Sequence, residues 1–247
     1  MKPAAKYGLI ALVVVLVAGA AGIFWFLRDD SPDEVDLDTA AQGVEERSTT
    51  TAADGGAATE PGDVSGTWTV DAETGDFDYE SATGTFAGIR IEEELASIGS
   101  TTAVGRTGDV SGTVVIDGTT VTSADLEVDV TTITTNESRR DDKVQQALET
   151  SQFPTATFSL TQPIELGADA ANGDTVRVTA SGDLTVHGVT QAIEIPIEAK
   201  LVGDTIVMTA STQITFSDYD VEVPSSPIVL SVDDDGVLEL QLLLVRS

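Results

Sequence analysis

From Val64 to the C-terminus, apolar and polar positions alternate with a period of two. Val64, Gly66, Trp68 and Val70 open the pattern. Ala124, Leu126, Val128 and Val130 then alternate with Ser123, Asp125, Glu127 and Asp129. Ala156, Phe158 and Leu160 continue it, followed by Val176, Val178, Ala180 and Leu184, and by Ile193, Ile195, Ile197, Ala199 and Leu201. Ile206, Met208, Ala210, Ile214 and Phe216 come next, and Leu238, Leu240, Leu242 and Leu244 close the series. Successive side chains of a strand point to opposite faces, so the pattern predicts strands with one buried face and one wet face. Asp117-Gly118, Ala171-Asn172-Gly173-Asp174, His187-Gly188 and Gly203-Asp204 are turn signals between them. Strands joined by such short turns run antiparallel, and no series of helices separates them, which argues against a parallel βαβ sheet.

One short helix interrupts the strands. Ser138 is a candidate cap, Asp141 stands near the positive end of the helix, and Val144, Ala147 and Leu148 fall on one face. Phe153-Pro154 ends the segment, because a residue before proline disfavours helix. About eight antiparallel strands over residues 64–247 fit a closed barrel or a two-sheet sandwich. The inward positions are rich in Val, Ala, Ile and Leu and poor in large aromatics. A barrel of eight strands is just wide enough to be filled or to hold one small ligand, and small inward residues favour the ligand.

Ahead of this domain the pattern changes twice. Tyr7 to Leu27 is an uncharged apolar run of about 21 residues, long enough to span a bilayer core. Lys2 and Lys6 precede it and Asp29 and Asp30 follow Arg28, so the expectation is a single-pass transmembrane anchor over residues 1–28, N-terminus inside and the rest extracytoplasmic. The rival is a cleaved signal peptide, with Ala18-Gly19-Ala20 as a small-residue site. Cleavage there would leave Ile23-Phe24-Trp25-Phe26-Leu27 on the mature terminus. Residues 29–63 are rich in Asp, Glu, Thr, Ala and Gly with few large apolar side chains, and are expected to form a disordered acidic linker. The folded domain is then residues 64–247.

Charge and composition narrow the chemistry. The formal net charge is −30, which repels phosphate backbones and argues against nucleic-acid binding. There are no cysteines, so disulfides, thiol catalysis and cysteine metal sites are excluded. His187 is the only histidine, which removes multi-histidine metal sites and leaves little room for a histidine triad. No G-x-S-x-G stands around any serine. The expectation is a binding protein, not an enzyme, with no catalytic residues, no metal and no cofactor.

Several segments resemble the YceI-like family of polyisoprenoid-binding proteins. Trp68-Thr69-Val70-Asp71 is similar to an opening W-x-I-D motif. Asn136 to Asp141, Leu148, Phe153-Pro154 and Ala156-Thr157-Phe158 resemble an N-x-x-R-D helix followed by a P-x-x-x-F strand. The stretch from Gly182 to Thr190, GDLTVHGVT, resembles a G-x-L-T-L-H-G-V-T hairpin. Thr74-Gly75 stand where the family usually has a His-Ser pair. The likeness spans about residues 64–247 and implies a lipocalin-like barrel around a long isoprenoid chain, such as a quinone tail or a prenyl phosphate. The candidate ligand-binding residues are Phe77, Tyr79, Ile89, Ile91, Leu126, Val128, Ala156, Phe158, Leu160, Val178, Ala180, Leu184, Ile193, Ile195 and Ile197. The expected partners are an isoprenoid or other long-chain lipid, and the membrane through the N-terminal helix; oligomeric state is left open. The alternative is a cell-surface protein-interaction module with a filled barrel.

Four polar features have a structural reading beside a functional one. Glu93 shares a face with Ala87, Ile89, Ile91 and Leu95; it either lies past the barrel rim in water or stands near the apolar lumen, where it meets a polar ligand head or is neutralised by Arg90 or Arg106. His187 is expected to bond turn backbone. Arg139 and Arg140 are expected to pair with carboxylates and not to clamp a diphosphate. Asp233-Asp234-Asp235-Gly236 lacks the alternating ligands and closing Glu of a calcium loop and reads as a turn.

Overall fold

The computed structural model of the 247-residue chain describes residues 31–51, 63–75, 77–80, 82–95, 99–223 and 229–247. Eleven strands are formed among the described residues: β1 (Gly66–Val70), β2 (Phe86–Leu95), β3 (Gly99–Thr107), β4 (Val110–Asp117), β5 (Thr120–Asp129), β6 (Thr155–Leu160), β7 (Ile164–Glu165), β8 (Val176–Val186), β9 (Val189–Val202), β10 (Thr205–Thr215) and β11 (Val229–Arg246). Eight of them close an antiparallel barrel in the order β1-β4-β5-β6-β8-β9-β10-β11 and back to β1. The long β11 carries two partners in succession on one edge. Gly236–Gln241 pair with Ile91–Phe86 of β2, and Leu244–Arg246 pair with Val70–Trp68 of β1. Strand β3 extends from β2, and an isolated bridge ties its Arg106 to Thr134 beyond β5.

The turns follow their signals. The β8–β9 hairpin turns on His187 and Gly188, with φ of 52° and 75°. Positive φ at both central residues is the backbone twist that a two-residue hairpin favours. The aspartate run at 233–235 is no turn: it lies inside β11, where the register with β2 slips between Val232 and Gly236. Asp234 accepts bonds there from the Ser217 backbone and hydroxyl, and Asp235 from the Thr215 hydroxyl.

Among the described residues two α-helices accompany the barrel, where the sequence pattern beyond the N-terminal run predicted one. Helix α1 spans Leu37–Thr51, within the segment read as a disordered linker. Asp36 caps it by accepting from the Thr39 N–H and hydroxyl, both at 2.8 Å. Its Leu37, Ala40, Ala41 and Val44 form an i, i+3, i+4, i+7 stripe and bury against Val202, Val207 and Leu243 on the outside of the barrel. Just before α1, the Pro32 and Asp33 carbonyls accept from Arg90 (2.8 Å) and Arg106 (2.6 Å), and the Val35 N–H donates to Glu239. Glu239 also holds Arg90 and Arg106 at 3.2 Å each, so a buried two-arginine, one-carboxylate cluster fastens residues 32–35 to the wall. Helix α2 spans Ser138–Ala147. Its cap position is Glu137, without a side-chain cap bond, so Ser138 does not cap it. Asp141 instead accepts from the backbone and hydroxyl of Thr135, at 2.7 Å each.

The expected N-terminal transmembrane helix is not part of the described architecture. Among the described residues no helix is long and apolar enough to cross a membrane. The run Tyr7–Leu27 lies outside the described residues, and α1 is short and carries Asp38, Glu45, Glu46 and Arg47. Anchoring, a single-pass extracytoplasmic topology and the membrane as a partner therefore have no structural support and are set aside.

Candidate functional site: an apolar cavity in one half of the barrel

One end of the barrel is filled. Trp68 is 1% exposed and donates its indole N–H to the Val64 carbonyl at 2.9 Å, while the Arg246 guanidinium lies 4.7 Å from its ring centre. Val70, Val110, Val114, Ile116, Val121, Leu242 and Leu244 pack around it as a floor.

Towards the end that carries α2 and the His187-Gly188 turn, the interior opens into a cavity of about 190 Å³. Alternation on β6, β8 and β10 delivers Ala156, Ala180 and Ala210 to its wall, where larger side chains would have closed it. Ile195 and Ile197 from β9, Leu126 and Val128 from β5, and Leu238 and Leu240 from β11 complete an almost wholly apolar lining. A cluster of Leu184, Ile214, Phe216, Tyr219 and Val221 packs at its far end, with Leu148 from just beyond α2.

The sequence-predicted residues divide cleanly. Ile89, Leu126, Val128, Ala156, Phe158, Ala180, Leu184, Ile195 and Ile197 all face the cavity. Ile91 and Ile193 lie beside it, packed into the far-end cluster. Leu160 joins the floor cluster, and Val178, half-buried on β8 opposite Ile197, does not line the cavity. Phe77 is 40% exposed and leans on Gly108 outside the barrel. Tyr79 lies in the β1–β2 loop, half-buried, with its pKa raised by burial against the opposing charge of Arg140. Neither aromatic lines the cavity. The wall also takes Val130, Ile133, Val186, Met208, Thr212 and Phe216, which were not among the candidates. Met208, Ala210, Ile214, Leu238 and Leu240 were legible from alternation on β10 and β11; Tyr219, on a 3-10 turn, follows no such period.

The polar candidates find local partners. Glu93 bonds Arg140 at 3.4 Å, so it is neither in open water nor neutralised by Arg90 or Arg106, which Glu239 holds. His187 Nδ1 lies 3.3 Å from the Tyr219 carbonyl, Nε2 lies 3.5 Å from Glu149, and Phe153 stacks edge-on at 4.7 Å. The hairpin histidine thus ties together the β8–β9 turn, the end of α2 and the turn after β10. Among the described residues there is no group of three or more His, Cys, Asp or Glu that could hold a metal ion.

The YceI-like domain family matches residues 44–244. The chain belongs to the YceI-like family. A UPF0312 protein of Shewanella baltica is 31% identical over 161 residues, covering 60% of this chain and 80% of the relative. A UPF0312 protein of Shewanella denitrificans is 28% identical over the same length. Among solved structures, a polyisoprenoid binding domain from Saccharophagus degradans, implicated in plant cell wall breakdown, superimposes with a TM-score of 0.54 at 16% identity. It covers 73% of this chain and 98% of that one. BcnA of Burkholderia cenocepacia gives 0.52 at 18% identity, covering 70% and 98%. At these identities the two structures share the fold with this YceI-like chain.

Proposed function

We propose that this YceI-like barrel holds an apolar chain, of isoprenoid type, in the cavity between the Trp68 floor and the α2 end. The observation that carries the reading is the cavity itself: about 190 Å³ of apolar interior, kept open by Ala156, Ala180 and Ala210. At roughly 10–15 Å³ for each water-sized position, that volume admits on the order of a dozen atom-sized groups. Two or three isoprene units fill it, and a longer chain must extend beyond it. Each buried methylene contributes about 0.8 kcal/mol, so such a ligand gains on the order of 10 kcal/mol before entropic costs. Branched methyls suit a wall of isoleucine, leucine and alanine without any polar demand along the chain.

The Saccharophagus degradans domain, described as polyisoprenoid-binding, agrees in kind with this ligand class. An interaction module with a filled barrel needs a close-packed interior throughout, and here packing stops above the Trp68 floor. Mass spectrometry of organic extracts from the purified protein tests the reading. A stoichiometric isoprenoid or similar long-chain lipid is the expected result. Extracts free of lipid, together with no uptake of added isoprenoid, would contradict it.

A further inference from the structure

The cavity contains one polar side chain whose hydrogen-bonding capacity goes unused. Tyr219 is 3% exposed and lines the cavity from the 3-10 turn Phe216–Tyr219. Its backbone carbonyl faces His187, while its hydroxyl has no hydrogen-bond partner among the described residues. The other polar side chains around the cavity are engaged or turned away. Thr107 bonds Thr132 and the Asp109 N–H, and Thr212 donates to the Glu194 carbonyl. Glu239 is bound to Arg90 and Arg106, and Thr157 alternates with Ala156 and Phe158 and so lies on the other face of β6. The hydroxyl oxygen itself is not sealed off by protein atoms, so on a ligand-sized cavity this free phenol is available to the polar end of a ligand.

The electrostatics decide what that end is. No lysine, arginine or histidine lines the cavity. Arg90 and Arg106 are committed to Glu239 and to the Pro32 and Asp33 carbonyls. The charged groups nearest Tyr219 along the chain are the carboxylates Asp218 and Asp220, and Glu149 lies beside His187. A buried phosphate here would lose its hydration with no cation to replace it. Burial, with Asp218 adding to it, raises the Tyr219 pKa above its ordinary value, so the phenol stays protonated and able to donate.

We propose that Tyr219 is the specificity-determining residue of this site, donating to an uncharged acceptor (an alcohol, ether or carbonyl oxygen) at the end of the apolar chain and thereby selecting neutral lipids over prenyl phosphates. The proposal rests on the reading of the cavity as a lipid site. It is tested by displacement of a fluorescent apolar probe with four ligands sharing the farnesyl skeleton: farnesol, farnesyl methyl ether, farnesyl phosphate and the saturated hydrocarbon farnesane. The unmodified protein is expected to bind the alcohol and ether about tenfold more tightly than the hydrocarbon, the worth of one buried hydrogen bond, and the phosphate most weakly of the four. Tyr219→Phe, which keeps the ring, is expected to abolish the preference for ether over hydrocarbon while farnesane binds as before. Phosphate binding equal to or tighter than the alcohol, or an unchanged ether preference in Tyr219→Phe, would overturn the proposal while leaving the lipid site standing. Failure of all four ligands to displace the probe would overturn both.

Discussion

Around Trp68, strands β1, β4 and the end of β11 send large side chains inward, and Trp68, Leu242 and Leu244 are at most 2% exposed. A few residues further along the same sheet, Ala156, Ala180 and Ala210 stand at equivalent inward positions and the interior is open. The backbone pairing does not distinguish the two regions; β5, β8, β10 and β11 run through both as continuous antiparallel strands. What distinguishes them is side-chain volume on one face. Alternation therefore tells which residues point inward, and the sizes of those residues tell whether the barrel closes on itself or leaves room for something else.

The largest expected effect belongs to the filled half. Trp68→Ala should lower stability by about 3–5 kcal/mol, as deletion of a fully buried aromatic does. Thermal or urea denaturation measures it, and a loss below about 1 kcal/mol would show that the floor is not close-packed. A smaller effect is expected where helix α1 covers the outside. Leu37→Ala removes the largest side chain of the stripe against Val207 and Leu243 and should cost about 2 kcal/mol. Lipid binding should be unchanged, since α1 touches the outer wall and not the cavity; weakened binding would mean that the outer clasp shapes the inner half.

The smallest effect is the acid response of α1. The Thr39 bonds hold the Asp36 carboxyl below its ordinary value of 3.8. A carboxylate whose folded pKa is depressed stabilises fully above its unfolded pKa, and that contribution fades as pH falls through the folded value. Hydrogen exchange should therefore show residues 37–44 losing protection below about pH 4 while the barrel amides keep theirs. Asp36→Asn, which caps without titrating, should remove that pH dependence; a helix equally acid-labile in the variant would assign the effect to another group.

Much of this was legible in the sequence because a period-two pattern is strong and long. Strands β1, β5, β6 and β8 to β11 and most of the cavity wall follow from it, and Gly118, His187-Gly188 and Gly203 mark turns between strands. Helix α1 was hidden by composition: an acidic, threonine- and alanine-rich stretch reads as linker, although Leu37, Ala40, Ala41 and Val44 already stand at helical spacing behind a capping Asp36. Leu242-Leu243-Leu244 held the matching signal, since three consecutive buried leucines mean a strand covered on both faces. The cluster of Arg90, Arg106 and Glu239 could not be read, because it joins three strands to residues 32–35 across long sequence separations. Tyr219 was missed for a different reason: a short 3-10 turn has no periodicity to announce which side chain faces inward.

The most direct test of the open half is Ala180→Trp. Ala180 is 1% exposed and supplies only a methyl to the cavity wall. An open cavity can take up the indole, so the account predicts near-normal melting together with loss of farnesol binding. Asp125→Ala, on the water-facing side of β5 where Asp125 bonds Ser159, should leave binding intact and serves as the control. Destabilisation of the ligand-free Ala180→Trp protein by about 1–3 kcal/mol, the cost of overpacking a filled core, or farnesol binding that survives the substitution, would contradict the account.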